Sequence, residues 1–391
     1  LALGSPETPR GVGLNQTGKK NIILKIELNH STSTQCMHFI FSTFFIRRWT
    51  ILWLSCVPLL TQAQTGPGGV GNSSSNKVWL DASALNGLSN GASVSSWTDR
   101  SGNGWNANQA SATNRPSFLS NALNGKPVIH FDRNSAVQYL ELTTAGIGGA
   151  MSNSNTIFAV AKANSGALDN NTDNSGNHQS IFMAVGYHGG LFFYGYPTTA
   201  FAFTTWANDR NTGFYQAMAA SQGQWQMGML RNTGTAAVSS FVSALNGTSA
   251  ASQLGNFQMF NYADLVRIGV ASNPGMPYSW PLNGDIAEII LYNTALNDAQ
   301  RIIVENYLSA KYNLSGANDY YTAHDPAYSQ DVQGIGTTDG TVANKHAQAV
   351  NGKGLLLSEV NGSLNGENEF LLAGHVEQWG EYSKPSVEQR E

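Results

Sequence analysis

From Lys77 to Leu314 the chain consists of short apolar runs separated by Gly/Asn/Ser turns, and this alternation constrains the fold more than any other feature. The clearer runs are Val78–Leu80, Pro127–Phe131, Thr156–Ala161, Ser180–Val185, Leu191–Tyr194, Trp225–Leu230, Val238–Val242, Leu265–Val270 and Asp285–Tyr292. Several alternate apolar and polar residues with period two, as half-buried antiparallel strands do. No crossover helices separate them. The pattern predicts an all-β sandwich of two antiparallel sheets with about a dozen strands. One segment departs from it. Asn297–Asn313 opens on Asn/Asp capping residues and repeats apolar or small side chains at Ala299, Ile302, Ile303, Tyr307 and Ala310. That spacing is one face of a C-terminal helix, expected to dock beside the sheet ends as a closing clasp.

Composition narrows the class further. Charged residues make up 12 % of the chain, against about 25 % in ordinary soluble domains. Glycine and a visible excess of Asn, Ser and Thr fill the gap, while aromatics reach 10 %. Such a chain is not a charge-solvated disordered polymer. A net charge of −4 without basic runs speaks against a nucleic-acid partner.

The first 64 residues follow other rules. Residues 1–36 precede the first methionine and show no sustained period, so they read as translation upstream of the true start. Residues 37–64 carry Arg47-Arg48, the apolar run Trp49–Leu60 and a small-residue exit, the order of a signal peptide. The run is shorter than the roughly 20 residues of a membrane helix, so no membrane insertion is expected after cleavage. Both cysteines, Cys36 and Cys56, lie in this stretch. Beyond it remain 15 basic and 23 acidic residues, a net charge of −8. A body without cysteine needs a large core, a bound metal, or both.

Residues 65–76 look like a Gly/Ser linker. Their formal G-x-G-x-x-G at Gly66, Gly68 and Gly71 lacks the strand and helix that a dinucleotide site requires. Residues 315–391 hold strand candidates around 334–336, 354–357 and 369–373, the start of a second, truncated β domain.

An ordered series of motifs carries a family resemblance. Val78-Trp-Leu-Asp-Ala82, Val94–Gly104 (VSSWTDRSGNG), Asn114-Arg-Pro116 and Asn124–Asp132 (NGKPVIHFD) are followed by Leu282–Asn293 and Asn306–Tyr312. The series, over 77–314, resembles the laminin-G-like domains of the concanavalin A-like lectin/glucanase superfamily, as found in surface proteins of Bacteroidetes-type bacteria. Residues 331–336 and 369–374 resemble an uncharacterised domain that trails it in such proteins. The resemblance implies a jelly-roll sandwich, a binding or adhesion role and, in many members, one structural calcium.

Calcium candidates follow from loop chemistry. Asp99-Arg-Ser-Gly-Asn-Gly104 places oxygen ligands at Asp99, Ser101 and Asn103 with Gly at position 6, the front half of a calcium loop. Position 12 is Ala110, so the closing bidentate Glu is missing. The loop 169–177 repeats the alternation with Asp169, Asn171 and Asp173. Asp132 and Asp285, near strand ends, join the set through the resemblance. The competing explanation is that Asp and Asn merely close turns on their own backbone.

A glycan site needs a flat aromatic for the apolar sugar face and polar groups for the hydroxyls. Trp105 in a polar turn, Tyr194 and Tyr196, Trp206 before Asn208-Asp209, and Tyr278-Ser-Trp280 are the aromatics placed for it, with Trp105, Trp206, Trp280, Tyr194 and Tyr196 as the ligand candidates. Catalysis has little support. Glu141, Glu288 and Glu305 are the only glutamates between 77 and 314, whereas a retaining glycosidase needs two carboxyls about 5–5.5 Å apart. Asp285 and Glu288 come nearest, but an i, i+3 spacing on a regular strand sends them to opposite faces. A structural role for Glu288, paired with a cation, fits better. The expected function is a noncatalytic extracellular module for a glycan or protein ligand, in a longer secreted or cell-surface chain. A ligand-free structural spacer and a glycoside hydrolase are the alternatives.

Overall fold

The computed structural model describes residues 27–28, 65–143, 154–164, 178–184, 189–195, 201–209, 212–234, 239–250, 253–255, 265–273, 276–321, 329–350, 355–359, 362–375 and 386–390. Two antiparallel sheets face each other. The larger contains β1 (Asn76–Asp81), β4 (Ser117–Leu123), β5 (Lys126–Phe131), β7 (Asn155–Ala163), β12 (Gln226–Asn232), β13 (Ser239–Leu245), β14 (Thr248–Ser249), β15 (Gln253–Gly255) and β19 (Gly284–Tyr292). Its order is β14-β13-β12-β7-β19-β5-β4, with β15 on β13 and β1 on β19. The facing sheet contains β2 (Ser96–Trp97), β3 (Ala107–Asn108), β6 (Leu140–Thr143), β8 (Gln179–Ala184), β9 (Gly189–Gly195), β10 (Phe201–Asp209), β11 (Thr212–Ala219) and β16 (Leu265–Ile268), in the order β11-β10-β9-β8-β16-β6-β3-β2. The chain crosses repeatedly between them (β5 to β6, β6 to β7, β7 to β8), which makes the sandwich a jelly roll.

Period-two alternation builds the core between the sheets. Val78, Leu80, Ile129, Phe131, Ile157, Ile286 and Ile289 of the larger sheet meet Leu140, Leu142, Phe182, Leu191, Val266 and Ile268 of the other, with Trp97 fully buried among them. A short hairpin, β17 (Ala271–Asn273) and β18 (Met276–Ser279), follows β16.

The larger sheet is apolar on its second face too, and β19 is buried along its whole length. A strand with no polar face must be covered on both sides. The cover is helix α1 (Asp298–Tyr312), which lies across this outer face rather than beside the sheet ends as expected: Ile302, Ile303, Tyr307 and Leu308 pack with Phe158, Val160, Ala287, Ile290 and Tyr292. The helix is well terminated. The Asn297 side chain accepts from Gln300 N at 2.9 Å, Asn297 N donates to the Gln300 side chain at 3.1 Å, and Asn313 closes the end at φ 53°.

The helix is buried nearly all round because a second β unit covers its other side. That unit pairs β20 (Gln330–Asp339) with β21 (Lys345–His346) and β24 (Glu367–His375), and β24 with β25 (Ser386–Arg390), while β22 (Gln348–Val350) pairs β23 (Leu355–Ser358). Val332, Phe370 and Leu372 join the helix cluster. Residues 65–76, linker-like in composition, pack here as well. Pro67–Val70 are buried, and the Tyr292 hydroxyl donates to Val70 O at 3.2 Å. Gly68 sits at φ 69°, a conformation strained for any side chain, and a Cβ there would lie a tight 3.1 Å from Ile303 Cγ2.

One irregularity in β19 matters for the chemistry. Its register against β7 shifts between Ile286 and Glu288, a β-bulge. Ala287 and Glu288 therefore both face the helix layer. Asp285 faces it as well, beside Lys162, whose strand neighbours Phe158 and Val160 point the same way. The expected separation of Asp285 and Glu288 onto opposite faces is thus incorrect, because a bulge resets the alternation that the i, i+3 rule assumes.

Candidate functional site

Glu288 is 1 % exposed and sits at the centre of a closed cage. Its Oε1 accepts from Trp79 Nε1 at 2.6 Å and from the Tyr307 hydroxyl at 2.9 Å. Its Oε2 accepts from Lys311 Nζ at 2.7 Å and the Tyr312 hydroxyl at 2.8 Å. Lys311 also reaches Asp81 Oδ2 at 2.8 Å, and Asp81 takes Ser83 N at 2.8 Å and Arg100 Nη1. Asp81 and Glu288 are direct cross-strand partners between β1 and β19. Two like charges so placed need cations between them, and Lys311 and Arg100 supply these. Burial raises the Asp81 carboxyl, but Lys311 and Arg100 outweigh it and hold the group below its ordinary range. Burial, then Glu288, pushes the Tyr307 and Tyr312 hydroxyls well above theirs.

Asp285 forms a second cluster on the same face. His130 Nδ1 lies 2.6 Å from Oδ1 and Lys162 Nζ 2.8 Å from Oδ2, with Lys162 over the Trp225 ring. The hydrogen bond to Asp285 raises His130 above its ordinary value. Burial raises Asp285, but His130 and Lys162 bring it below. Glycoside hydrolysis needs an acid and a nucleophile open to substrate. Glu288 is sealed under the helix, and Asp285 is 3 % exposed between two cations. Neither carboxylate is open to a glycoside, and both tie neighbouring elements together.

Loop 99–104 is organised by Asp99 itself. Its Oδ1 accepts from Trp79 N and Ser101 N at 2.9 Å each, and its Oδ2 from the Ser101 hydroxyl at 2.7 Å and Trp105 N at 3.0 Å. Asn103 Nδ2 donates to the carbonyls of Asn76 and Lys77 at 3.0 and 3.1 Å. Four donors thus reach the Asp99 carboxylate, as in a turn closed on its own backbone. Asp132 Oδ1 takes Asn134 N at 2.9 Å in a turn of its own. Asp169, Asn171 and Asp173 lie outside the described residues. Among the described residues no three His, Cys, Asp or Glu gather where they could hold a metal ion.

Of the aromatic candidates, Trp105 is half-buried and packs against the inter-sheet core. Trp280 has φ 54°, which bulky residues rarely adopt. Its ring lies 4.6 Å from that of His178, and its carbonyl accepts from Ser180 N at 2.9 Å. Trp206 lies in β10 opposite Tyr215 of β11, and Tyr194 in β9 opposite Ala202 of β10. Their side chains and all of Tyr196 are outside the described residues.

The structure assembles a different aromatic group on the outer face of the facing sheet. Leu140, Leu142, Val266 and Ile268 point inward, so Glu141 of β6 and Arg267 of β16, paired across the strands, point outward. Arg267 Nε donates to Glu141 Oε1 at 2.9 Å. Its guanidinium carbon is 5.2 Å from the Tyr139 ring centroid and 5.0 Å from that of Tyr278. The two rings are 5.4 Å apart at 38°, with their hydroxyls 3.4 Å apart. Gln109 Nε2 fixes the Tyr139 carbonyl at 3.1 Å. Tyr278 is 47 % exposed, and the only other large hydrophobic side chain so exposed among the described residues is Val342.

An arginine braced by a carboxylate and two rings is rigid, because both cation–π contacts and the ion pair fix it. The exposed ring offers a flat apolar surface beside charged donors and acceptors. Tyr278 stands out in the sequence but its partners do not: Glu141 and Arg267 are 126 residues apart and meet only through strand pairing.

No family model matches the chain, and no curated protein matches it. Solved structures show distant likenesses. The Ruminococcus gnavus IT-sialidase CBM40 bound to alpha2,3 sialyllactose is 14 % identical over 45 % of this chain and 94 % of its own, with a TM-score of 0.34. The botulinum neurotoxin serotype D/C VPI 5993 binding domain is 10 % identical over 80 % and 73 %, TM-score 0.37. Trypanosoma rangeli sialidase is 14 % identical over 63 % and 35 %, TM-score 0.33. None is close enough to assign a ligand. Among the described residues, no helix is long and apolar enough to cross a membrane.

Proposed function

We propose that this chain is a noncatalytic glycan-binding module of a larger extracellular or cell-surface protein, and that Tyr139, Glu141, Arg267 and Tyr278 form its ligand platform. One observation carries this reading: the Tyr278 ring is 47 % exposed yet held by Tyr139 and Arg267. An aromatic fixed in place loses little freedom on binding, so its contact with a sugar's apolar face converts efficiently into affinity. Arg267 and Glu141 lie beside it to bond the hydroxyls. The kinship with laminin-G-like domains, cleavage of the leader within residues 37–64 and the division between a sandwich at 77–314 and a further β domain belong to the same proposal, supported by the motif series and the apolar run after Arg47-Arg48.

A glycan array probed with the folded chain and with Tyr278→Ala tests it. The expected result is a defined set of wild-type hits, lost in the variant at unchanged melting temperature. An array with no hits would favour the spacer alternative.

A further inference from the structure

We propose that Lys311 and Asp81 condense to an intramolecular amide, with Glu288 as the proton carrier, so that β1 is covalently tied to the end of helix α1.

The three side chains that such a bond requires are together and buried. Lys311 Nζ lies 2.8 Å from Asp81 Oδ2 and 2.7 Å from Glu288 Oε2. Relative exposures are 7 % for Lys311 and 1 % for each carboxylate. Trp79, Tyr307 and Tyr312 donate to Glu288 and hold it in place. Buried charges are costly to keep, and an amide removes one of each sign while releasing a water. Reacting groups fixed at contact distance need no encounter step.

The atoms balance without an oxidant. The Lys311 ammonium gives one proton to Asp81 Oδ2, 2.8 Å away, leaving a neutral amine beside a neutral carboxyl. Nζ attacks Cγ of Asp81 and the C–N bond forms. Negative charge on Oδ1 is met by Ser83 N–H, already 2.8 Å away. Glu288 then takes a second proton from nitrogen and gives it to Oδ2 as the C–Oδ2 bond breaks. Two ammonium protons leave with Oδ2 as water, the third stays on the amide nitrogen, and Glu288 ends as it began. Arg100, which donates to Oδ2 beforehand, favours departure of that oxygen. The ion pair favours the charged forms, so the reactive neutral pair is scarce. The reaction happens once per molecule, and a scarce form suffices over a folded lifetime.

The bond would close a loop between residues 81 and 311, a stretch that holds no cysteine. Peptide mapping of the folded, purified full chain by mass spectrometry tests it. The expected product is one peptide pair joined through Asp81 and Lys311, one water lighter than its two parts and resistant to trypsin at Lys311. Lys311→Arg, which keeps the charge but cannot condense, gives the two parts separately. Full tryptic cleavage at Lys311 in the wild type, or a link from Lys311 to Glu288 instead, would overturn the assignment. The wild-type map decides the matter even if a variant fails to fold.

Discussion

Glu288 Oε2 and Lys311 Nζ meet at 2.7 Å beneath helix α1, and the pair ties the helix to the strand it covers. The sequence showed glutamate to be scarce between 77 and 314; the structure shows where one of the few is used.

Removing this charge leaves Lys311 buried beside Asp81, with Trp79, Tyr307 and Tyr312 short of an acceptor. Breaking a buried pair typically costs about 3–5 kcal/mol. Glu288→Gln is therefore expected to lose stability of that order in denaturant unfolding. A loss below about 1 kcal/mol, the range of exposed pairs, would contradict the structural role.

Asp99 offers a way to separate turn chemistry from calcium. Its oxygens accept from Trp79, Ser101 and Trp105 N–H groups, and Asp99→Ala strands these donors at about 1–3 kcal/mol. The drop in melting temperature should be equal in chelator and in millimolar calcium. A drop seen only with calcium would place a cation at Asp99. A chelator effect on the wild type that survives in Asp99→Ala would point to the 169–177 loop, where calcium stays a proposal.

His346 sets an acid limit. Burial lowers it to about 4, and its Nε2 lies 3.1 Å from Gly69 O. As pH falls through 6.5 the unfolded chain takes up a proton that the folded chain refuses until about 4, so stability declines across that window. The loss is roughly 3 kcal/mol at one unit per 1.36 kcal/mol. His130 acts oppositely: its raised value contributes stability below its unfolded value, lost as pH rises through the folded one. Asp285, held low by His130 and Lys162, contributes above the ordinary carboxylate value and loses this as pH falls further. Unfolding of His346→Gln from pH 7 to 4 should show a shallower decline than wild type; parallel curves would remove His346 as the cause.

Much of the fold was legible because alternation is local. The runs expected at 127–131 and 156–161 are Lys126–Phe131 and Asn155–Ala163, and the helix expected at 297–313 is Asp298–Tyr312. What the pattern hid depends on distant partners. The bulge at Ile286–Glu288 arises from pairing with β7, and it turns Glu288 to the face of Asp285. The cover over helix α1 comes from Val332, Phe370 and Leu372, and only they explain why it is buried nearly all round. The platform escaped for the same reason, since Tyr139 is an unremarkable tyrosine until Arg267 and Tyr278 stand beside it.

The most direct measurement is the affinity of Tyr278→Ala, by titration calorimetry, for the strongest glycan that the wild type binds. Tyr278 is exposed, so its loss should leave the melting temperature within about 1 °C. The account predicts at least a tenfold loss of affinity, about 1.4 kcal/mol, as for a central aromatic contact. Unchanged affinity in a folded variant would contradict it.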